Sequence, residues 1–147
     1  MDRIDREILG RLTKDARLSY RELGEQVHLS ANAVAERVRR LQLAGAIRGF
    51  HADLDLAALG WPLQALVDVK LRPGVSATQF ESMLKLIPGV LGAQLLTGTF
   101  DYLLRVACAD QQDLVRVVEA LRETAGAQET YSRLILRDLV VTNGMPD

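Results

Sequence analysis

The sequence is poor in the residues that carry metal and redox chemistry. It has one cysteine, Cys108, and two histidines, His28 and His51. A single cysteine excludes an internal disulfide, and no metal-ligand spacing exists. Cys108 sits in the apolar run YLLRVACA, where we read it as a buried, inert thiol. No apolar run approaches the ~18 residues that a membrane helix needs, so no membrane partner is expected. The opening MDRIDREI is charged and has no apolar stretch. No secretory signal is therefore expected, and the default address is cytoplasmic. No Ser-His-Asp, Cys-His or clustered-carboxylate arrangement is visible, which argues against an enzyme. No cofactor is implied. Charge of one sign is lacking too: 18 Lys and Arg stand against 19 Asp and Glu, a net charge of -1.

What is present is ordinary for a folded globular chain: 48% hydrophobic and 25% charged residues over 147 positions. That length allows one domain or two small ones. Residues 1–60 carry a net +1 and residues 61–147 a net -2, so neither part is a basic slab. Nucleic-acid binding would need a local patch. One exists. From His28 to Phe50 there are four arginines and one glutamate, and Arg37, Arg39 and Arg40 fall within four positions.

The first third reads as helices. Asp5 to Lys14 has Ile8, Leu9 and Leu12 at helical spacing, following Ile4. Ser19-Tyr20-Arg21-Glu22 has the form of a capping box, in which hydroxyl and carboxylate satisfy free N–H groups at a helix start. Ser30 then caps a third helix from about Ala31 to Ala44, with Gly45 as its left-handed stop. Only two residues separate Val27 from Ser30, which is the helix-turn-helix order. At 100° per residue, Val34, Val38 and Leu41 form the inward stripe. Asn32, Glu36, Arg39 and Arg40 fall roughly opposite, with small Ala33 nearby, and Arg37 lies at the boundary. Ser30, Asn32, Ala33, Glu36, Arg37, Arg39 and Arg40 are the candidate DNA-facing set. Arginine forks to guanine, asparagine to adenine, and either holds phosphate. The same arginines would also solvate an exposed face, and Arg37 would equally serve as an ion-pair partner for a neighbouring helix. Double-stranded DNA is the preferred reading because of the tight turn.

The rest changes period. Ile47 to Ala52 reads as a short strand and Asp53 to Gly60 as a connector. ALVDVKL alternates strictly, with Ala65, Val67, Val69 and Leu71 on one face. Ser76 to Gln79 is a second capping-box pattern, opening a helix with Phe80, Met83, Leu84 and Ile87 on one side and ended by Pro88-Gly89. Val90 to Thr97 and Tyr102 to Ala109 read as strands joined by the turn Thr97-Gly98-Thr99-Phe100-Asp101. Asp110 caps a helix that turns Leu114, Val117, Val118 and Leu121 inward, and Gly126 ends it. Thr130 to Leu136 is the last strand. The order β-α-β-β-α-β predicts a ferredoxin-like sheet with helices on one face. The fold class is therefore α+β: residues 1–50 a helix-turn-helix domain, 51–60 a linker, and 61–147 the ferredoxin-like domain. The free sheet face would carry Leu66, Asp68, Lys70, Tyr131, Arg133 and Ile135, which suits a partner subunit. Trp61 is expected to pack at the junction of the two parts.

The sequence resembles the Lrp/AsnC family of transcription regulators over nearly its whole length. The matching runs are IDREILGRLTKDARLSYRELGEQVHLSANAVAERVRRLQLAGAIRGF, then IPGV, TGTFDYLLRV and GAQETYSRLIL in the ligand-sensing part, called RAM. The resemblance implies a dimer formed through the RAM sheets, assembly up to octamers, DNA binding, and a small-molecule effector, generally an amino acid. Effector binding in the family involves the GxxD turn and the last RAM strand. Carried over by position, this nominates Gly98, Thr99, Phe100, Asp101 and Tyr102, with Thr130 and Ser132. Backbone N–H groups at a glycine turn hold carboxylates, and Asp101 suits an α-ammonium. Plain turn chemistry explains Gly98 and Asp101 equally well. Departures are His28 where the family usually has Gly, and Ser132 where it often has Thr. Siroheme decarboxylases resemble the same family, but rely on histidine and arginine in the RAM-like part. No histidine follows residue 51 here.

Overall fold

The computed structural model describes residues 1–141. The last six positions of the expected 61–147 domain lie outside those residues. The chain divides into two compact units, Met1–Asp53 joined by residues 139–141, and Leu54–Asp138.

The first unit has three helices: α1 (Arg3–Leu12), α2 (Tyr20–Val27) and α3 (Ala31–Leu43). Their apolar stripes meet in one core of Ile8, Leu12, Leu23, Val27, Val34, Val38 and Leu41. Each helix start is capped as its residues dictate. Ser19 Oγ accepts from the Glu22 N–H while the Glu22 carboxylate accepts from the Ser19 N–H. Ser30 Oγ accepts from the Ala33 N–H at 3.1 Å. α1 starts earlier than its apolar spacing predicts, because Asp2 and Asp5 form a capping box of their own.

The turn between α2 and α3 is made by a left-handed His28 at φ 58, ψ 43. For a residue with a β-carbon this conformation costs roughly 1–2 kcal/mol. Gly24 completes the turn. A β-carbon there would lie 2.4 Å from the Leu29 carbonyl oxygen, so only glycine lets the two helices approach this closely.

The expected strand over 47–52 is not formed. A strand exists through its ladder partners. No strand among the described residues pairs with this segment. Residues 46–51 instead line an open cleft of about 620 Å³ against Leu9, Leu12, Thr13 and Ala16.

The second unit contains β1 (Leu63–Leu71), α4 (Ala77–Leu84), β2 (Val90–Leu95), β3 (Tyr102–Cys108), α5 (Gln111–Ala120) and β4 (Ala127–Leu134). The strands form one antiparallel sheet in the order β2-β3-β1-β4. This is the ferredoxin-like arrangement. Its core lies between sheet and helices: Ala65, Val67, Val69, Leu104 and Val106 from the sheet meet Phe80, Leu84, Val117 and Leu121. Cys108 is buried there, and burial pushes its thiol pKa up.

Three details depart from expectation. Ser76 caps α4 through the Gln79 N–H, but no reciprocal bond from Gln79 completes the box. An amide lacks the charge that makes the return bond strong in a Glu box. α4 ends at Leu84 rather than at Pro88, and tight i→i+3 bonds from Leu86 and Ile87 carry the chain onward. α5 runs into one wide turn, Leu121–Ala125, before Gly126, and β4 then starts at Ala127 and ends at Leu134. Trp61 lines a small cavity of this unit with Pro88, Gly89, Leu91, Ala107, Asp113 and Arg116, and remains 45% exposed.

Candidate functional site

The DNA-facing candidates separate into three kinds of environment. Val34, Val38 and Leu41 turn inward, which leaves Asn32, Glu36, Arg39 and Arg40 exposed on the far side of α3. Ala33 is half-buried, and Ser30 is occupied as the helix cap. Arg39 is held by Glu36 through two bonds, Nε to Oε2 at 3.0 Å and Nη2 to Oε1 at 2.8 Å. That pair lowers the Glu36 pKa and raises the Arg39 pKa. Arg40 makes no ion pair among the described residues. It is the free cation of this face.

Arg37 is different. Its side chain is 21% exposed against 61% for Arg39. Its Nη1 lies 2.7 Å from Asp2 Oδ2 and 2.8 Å from Asp5 Oδ1. The remaining oxygens of the two aspartates close the capping box: Asp2 Oδ1 accepts from the Asp5 N–H, and Asp5 Oδ2 from the Asp2 N–H. Backbone N–H bonds first, and Arg37 second, hold both carboxyls below the usual range. Of the readings open to Arg37, the geometry takes the ion-pair partner.

The effector candidates cluster at one end of the sheet, on two sides of β1. Gly98 has φ 113, a value that favours glycine, and it opens the turn between β2 and β3. Asp101 ties that turn to β1. Its N–H donates to the Val69 carbonyl, its carbonyl accepts from the Leu96 N–H, and its Oδ2 accepts from the Leu71 N–H at 2.8 Å. The N–H groups of Gly98, Thr99 and Phe100 donate to no backbone carbonyl among the described residues. They are the open donors of the turn.

Thr130 and Ser132 pair with Val69 and Val67 on the other flank of β1. Two strand spacings, about 10 Å, therefore separate them from the Asp101 side. Tyr102 is not presented at the surface. It is 1% exposed, its ring lies 4.7 Å from that of Phe80, and its hydroxyl donates to Glu81 Oε1 at 2.7 Å. It is a core residue of this unit, which removes it from the effector contacts of the single chain.

Two neighbours of this end were not legible. Arg122 Nη2 donates to Thr130 Oγ1 at 2.9 Å, and Arg72 donates to the Arg122 carbonyl. Both contacts depend on the wide turn Leu121–Ala125, which no sequence pattern announces.

A three-helix unit with a tight capped turn, followed by a ferredoxin-like unit, defines a two-part DNA-binding regulator. The comparisons identify which kind. Residues 1–42 match the AsnC-type helix-turn-helix domain, and residues 64–145 match the Lrp/AsnC ligand binding domain. The chain belongs to the Lrp/AsnC family.

It is 38% identical over 142 residues to the HTH-type transcriptional regulator AldR of Mycolicibacterium smegmatis, covering 95% of this chain and 83% of that one. It is 33% identical over 146 residues to the leucine-responsive regulatory protein of Escherichia coli (strain K12), covering 97% and 89%. Among solved structures, the transcriptional regulator NMB0573/L-Met complex from Neisseria meningitidis superposes with a TM-score of 0.90 at 31% identity, covering 99% and 96%.

The protein is thus a DNA-binding transcriptional regulator with a ligand-binding domain, and a regulator rather than an enzyme. Its family binds DNA and small-molecule effectors and forms oligomers. No helix among the described residues is long and apolar enough to cross a membrane.

Proposed function

We propose that this regulator reads DNA with the exposed face of α3 and that an amino acid tunes this binding. Asn32 and Arg40 are the first contacts, and Arg39 joins them by exchanging Glu36 for phosphate. An exposed ion pair is worth about 0–1 kcal/mol, so phosphate competes with it readily. The chain works in the cytoplasm as a twofold dimer, built through the free sheet face and assembled further up to octamers. That face carries half-buried Leu66 and a Tyr131 that is 59% exposed, crossed by the Arg133–Asp68 ion pair at 2.9 Å. Apolar surface of this kind, interrupted by paired charge, suits a subunit partner.

The observation that carries the amino-acid reading is the turn itself. Three open N–H groups, on Gly98, Thr99 and Phe100, sit beside an anchored carboxylate, Asp101. The N–H groups suit an α-carboxylate, and the outer oxygen of Asp101 suits an α-ammonium. Thr130 and Ser132 would complete the site from β4. The likeness to a regulator solved with L-Met supports the same class of ligand.

The test is fluorescence anisotropy on a labelled duplex from upstream of the protein's own gene, at two salt concentrations, with and without each amino acid. Salt-sensitive binding that one amino acid shifts supports the reading. Binding that no amino acid shifts overturns the effector half, and no binding to this duplex beyond a scrambled one overturns its use as the operator.

A further inference from the structure

We propose that Arg37 never reaches DNA but is a positioning residue, which clamps the DNA-facing helix α3 to the N-terminus of α1 and neutralises two carboxylates that would otherwise lie beside the DNA. The inference rests on α3 as the DNA-facing helix.

It starts from an oddity of composition. A capping box needs one oxygen acceptor at each of two positions, and Ser with Glu supplies them with one charge. Here the box is built from two aspartates, Asp2 and Asp5, so two like charges sit three residues apart at one helix end. The α1 dipole favours negative charge there, by a few tenths to about 1 kcal/mol. It does not account for a second carboxylate. Arg37 does. All four carboxylate oxygens have a partner: two backbone N–H groups inside the box, and one nitrogen, Arg37 Nη1, for the other two.

Stability alone is a weak reason to keep three charged groups at this place. The inner pair with Asp5, 11% exposed, contributes to stability, but Asp2 is 54% exposed and its pair contributes little. Orientation is a better one. α3 packs mainly on α2, and the clamp reaches from the side of α3 across to α1, 32 and 35 positions earlier in the chain. Breaking it would loosen the angle at which α3 is presented. It would also leave the two carboxylates without their cation beside α3, where Arg37 stands one helical turn from Arg40 and charge acts over roughly 8–10 Å at ordinary salt. They would repel the phosphates that Arg40 attracts.

The experiment uses the full chain and two labelled duplexes, one from upstream of its own gene and one of mixed sequence, titrated between 50 and 200 mM salt. The variants are Arg37→Gln, the pair Asp2→Asn with Asp5→Asn, and all three together. Measurements are made well below each variant's unfolding midpoint. Arg37→Gln is expected to weaken binding roughly fivefold at 50 mM salt, and the deficit should shrink toward 200 mM as salt screens the freed carboxylates. The triple variant, which removes the carboxylates too, recovers affinity for the mixed duplex to within about twofold of the parent, the sign of a coupled cluster, but not the discrimination that the clamp supplies. The aspartate pair alone binds the mixed duplex more tightly and discriminates less between the two.

Two results overturn the proposal. One is a salt slope that falls by about 0.9 in Arg37→Gln, with no recovery in the triple variant, which makes Arg37 a phosphate contact. The other is lower melting with DNA binding unchanged in every variant, which makes the clamp structural only. If Arg37→Gln does not fold, the aspartate pair decides: unchanged discrimination sinks the idea. Arg40→Ala in the parent is the control for the face itself. If it binds as the parent does, the α3 reading fails independently of the clamp.

Discussion

Glu36 and Arg39 grip each other on the exposed face of α3, through bonds of 2.8 and 3.0 Å one turn apart. The pair cancels one arginine of the basic patch in the free protein and leaves Arg40 as the cation of this face without an ion pair among the described residues. Glu36→Gln should therefore release Arg39. Binding to mixed-sequence DNA should tighten by up to roughly fivefold, the worth of an exposed ion pair of about 1 kcal/mol, with the salt slope unchanged because Arg39 meets phosphate in both proteins. Arg40→Ala should weaken binding and make the slope shallower by about 0.9. Anisotropy titrations at four salt concentrations read both variants. An unchanged affinity in Glu36→Gln would place Arg39 away from phosphate.

The α2–α3 turn makes two opposite predictions at neighbouring positions. Gly24→Ala forces a methyl group against the Leu29 carbonyl, 2.4 Å from where the new carbon must sit. Overpacking of this kind costs typically 1–3 kcal/mol, and here the obstacle is backbone, which yields poorly. His28→Gly relieves a left-handed residue that is exposed and whose side chain makes no hydrogen bond or ion pair among the described residues. After the greater freedom of glycine in the unfolded chain is deducted, the gain should be below about 1 kcal/mol. Urea unfolding measures both. A gain from Gly24→Ala would show that the turn is looser than its geometry.

The helix-turn-helix was legible because its signals are local. Ser19, Glu22 and Ser30 act on residues three positions away, and Val34, Val38 and Leu41 need only the helical period to declare a face. The sheet was legible for the same reason, since alternation in ALVDVKL is a property of one strand. What stayed hidden depends on distant partners. The strand expected over 47–52 finds no ladder partner among the described residues, because pairing is decided by what lies beside it. The preference of Arg37 for Asp2 and Asp5 needs α1 and α3 docked, and the reach of Arg122 to Thr130 needs the wide turn at the end of α5. Tyr102 looked like a turn neighbour of Asp101. Alternation along β3, counted from buried Leu104 and Val106, puts it inward instead.

Asp101 allows the structural and ligand roles of the turn to be pulled apart. Its Oδ2 accepts from the Leu71 N–H, which Asp101→Ala would leave without a partner at a cost of about 1–3 kcal/mol. Asp101→Asn keeps a carbonyl oxygen for that bond and loses only the charge. The Asn variant should melt close to the parent, while its response to an amino acid, read as the shift in DNA affinity, should fall at least about tenfold, as loss of one charge-assisted bond implies. If the Asn variant responds as the parent does, Asp101 is turn chemistry alone.

Tyr102 predicts an alkaline limb of stability. Burial first, and the Glu81 carboxylate second, push its phenol from 10.0 up to about 12. Below pH 10 the phenol holds its proton in both folded and unfolded chains, so the contribution is complete. Between pH 10 and about 12 the unfolded chain ionises first, while the folded chain keeps the proton and the bond to Glu81. Stability must then fall as pH rises, with a slope approaching about 1.4 kcal/mol per pH unit from this group. Other groups titrate in the same window, so the measurement is the difference between the parent and Tyr102→Phe in urea unfolding at a series of pH values. At pH 8 the Phe variant should be less stable by about 1 kcal/mol, the worth of one hydrogen bond. That deficit should shrink through pH 10 and reverse before 12, because phenylalanine has no proton to lose. A deficit constant over this range would mean that the Tyr102 hydroxyl is open to water, and the tight docking of β3 on α4 would have to be redrawn.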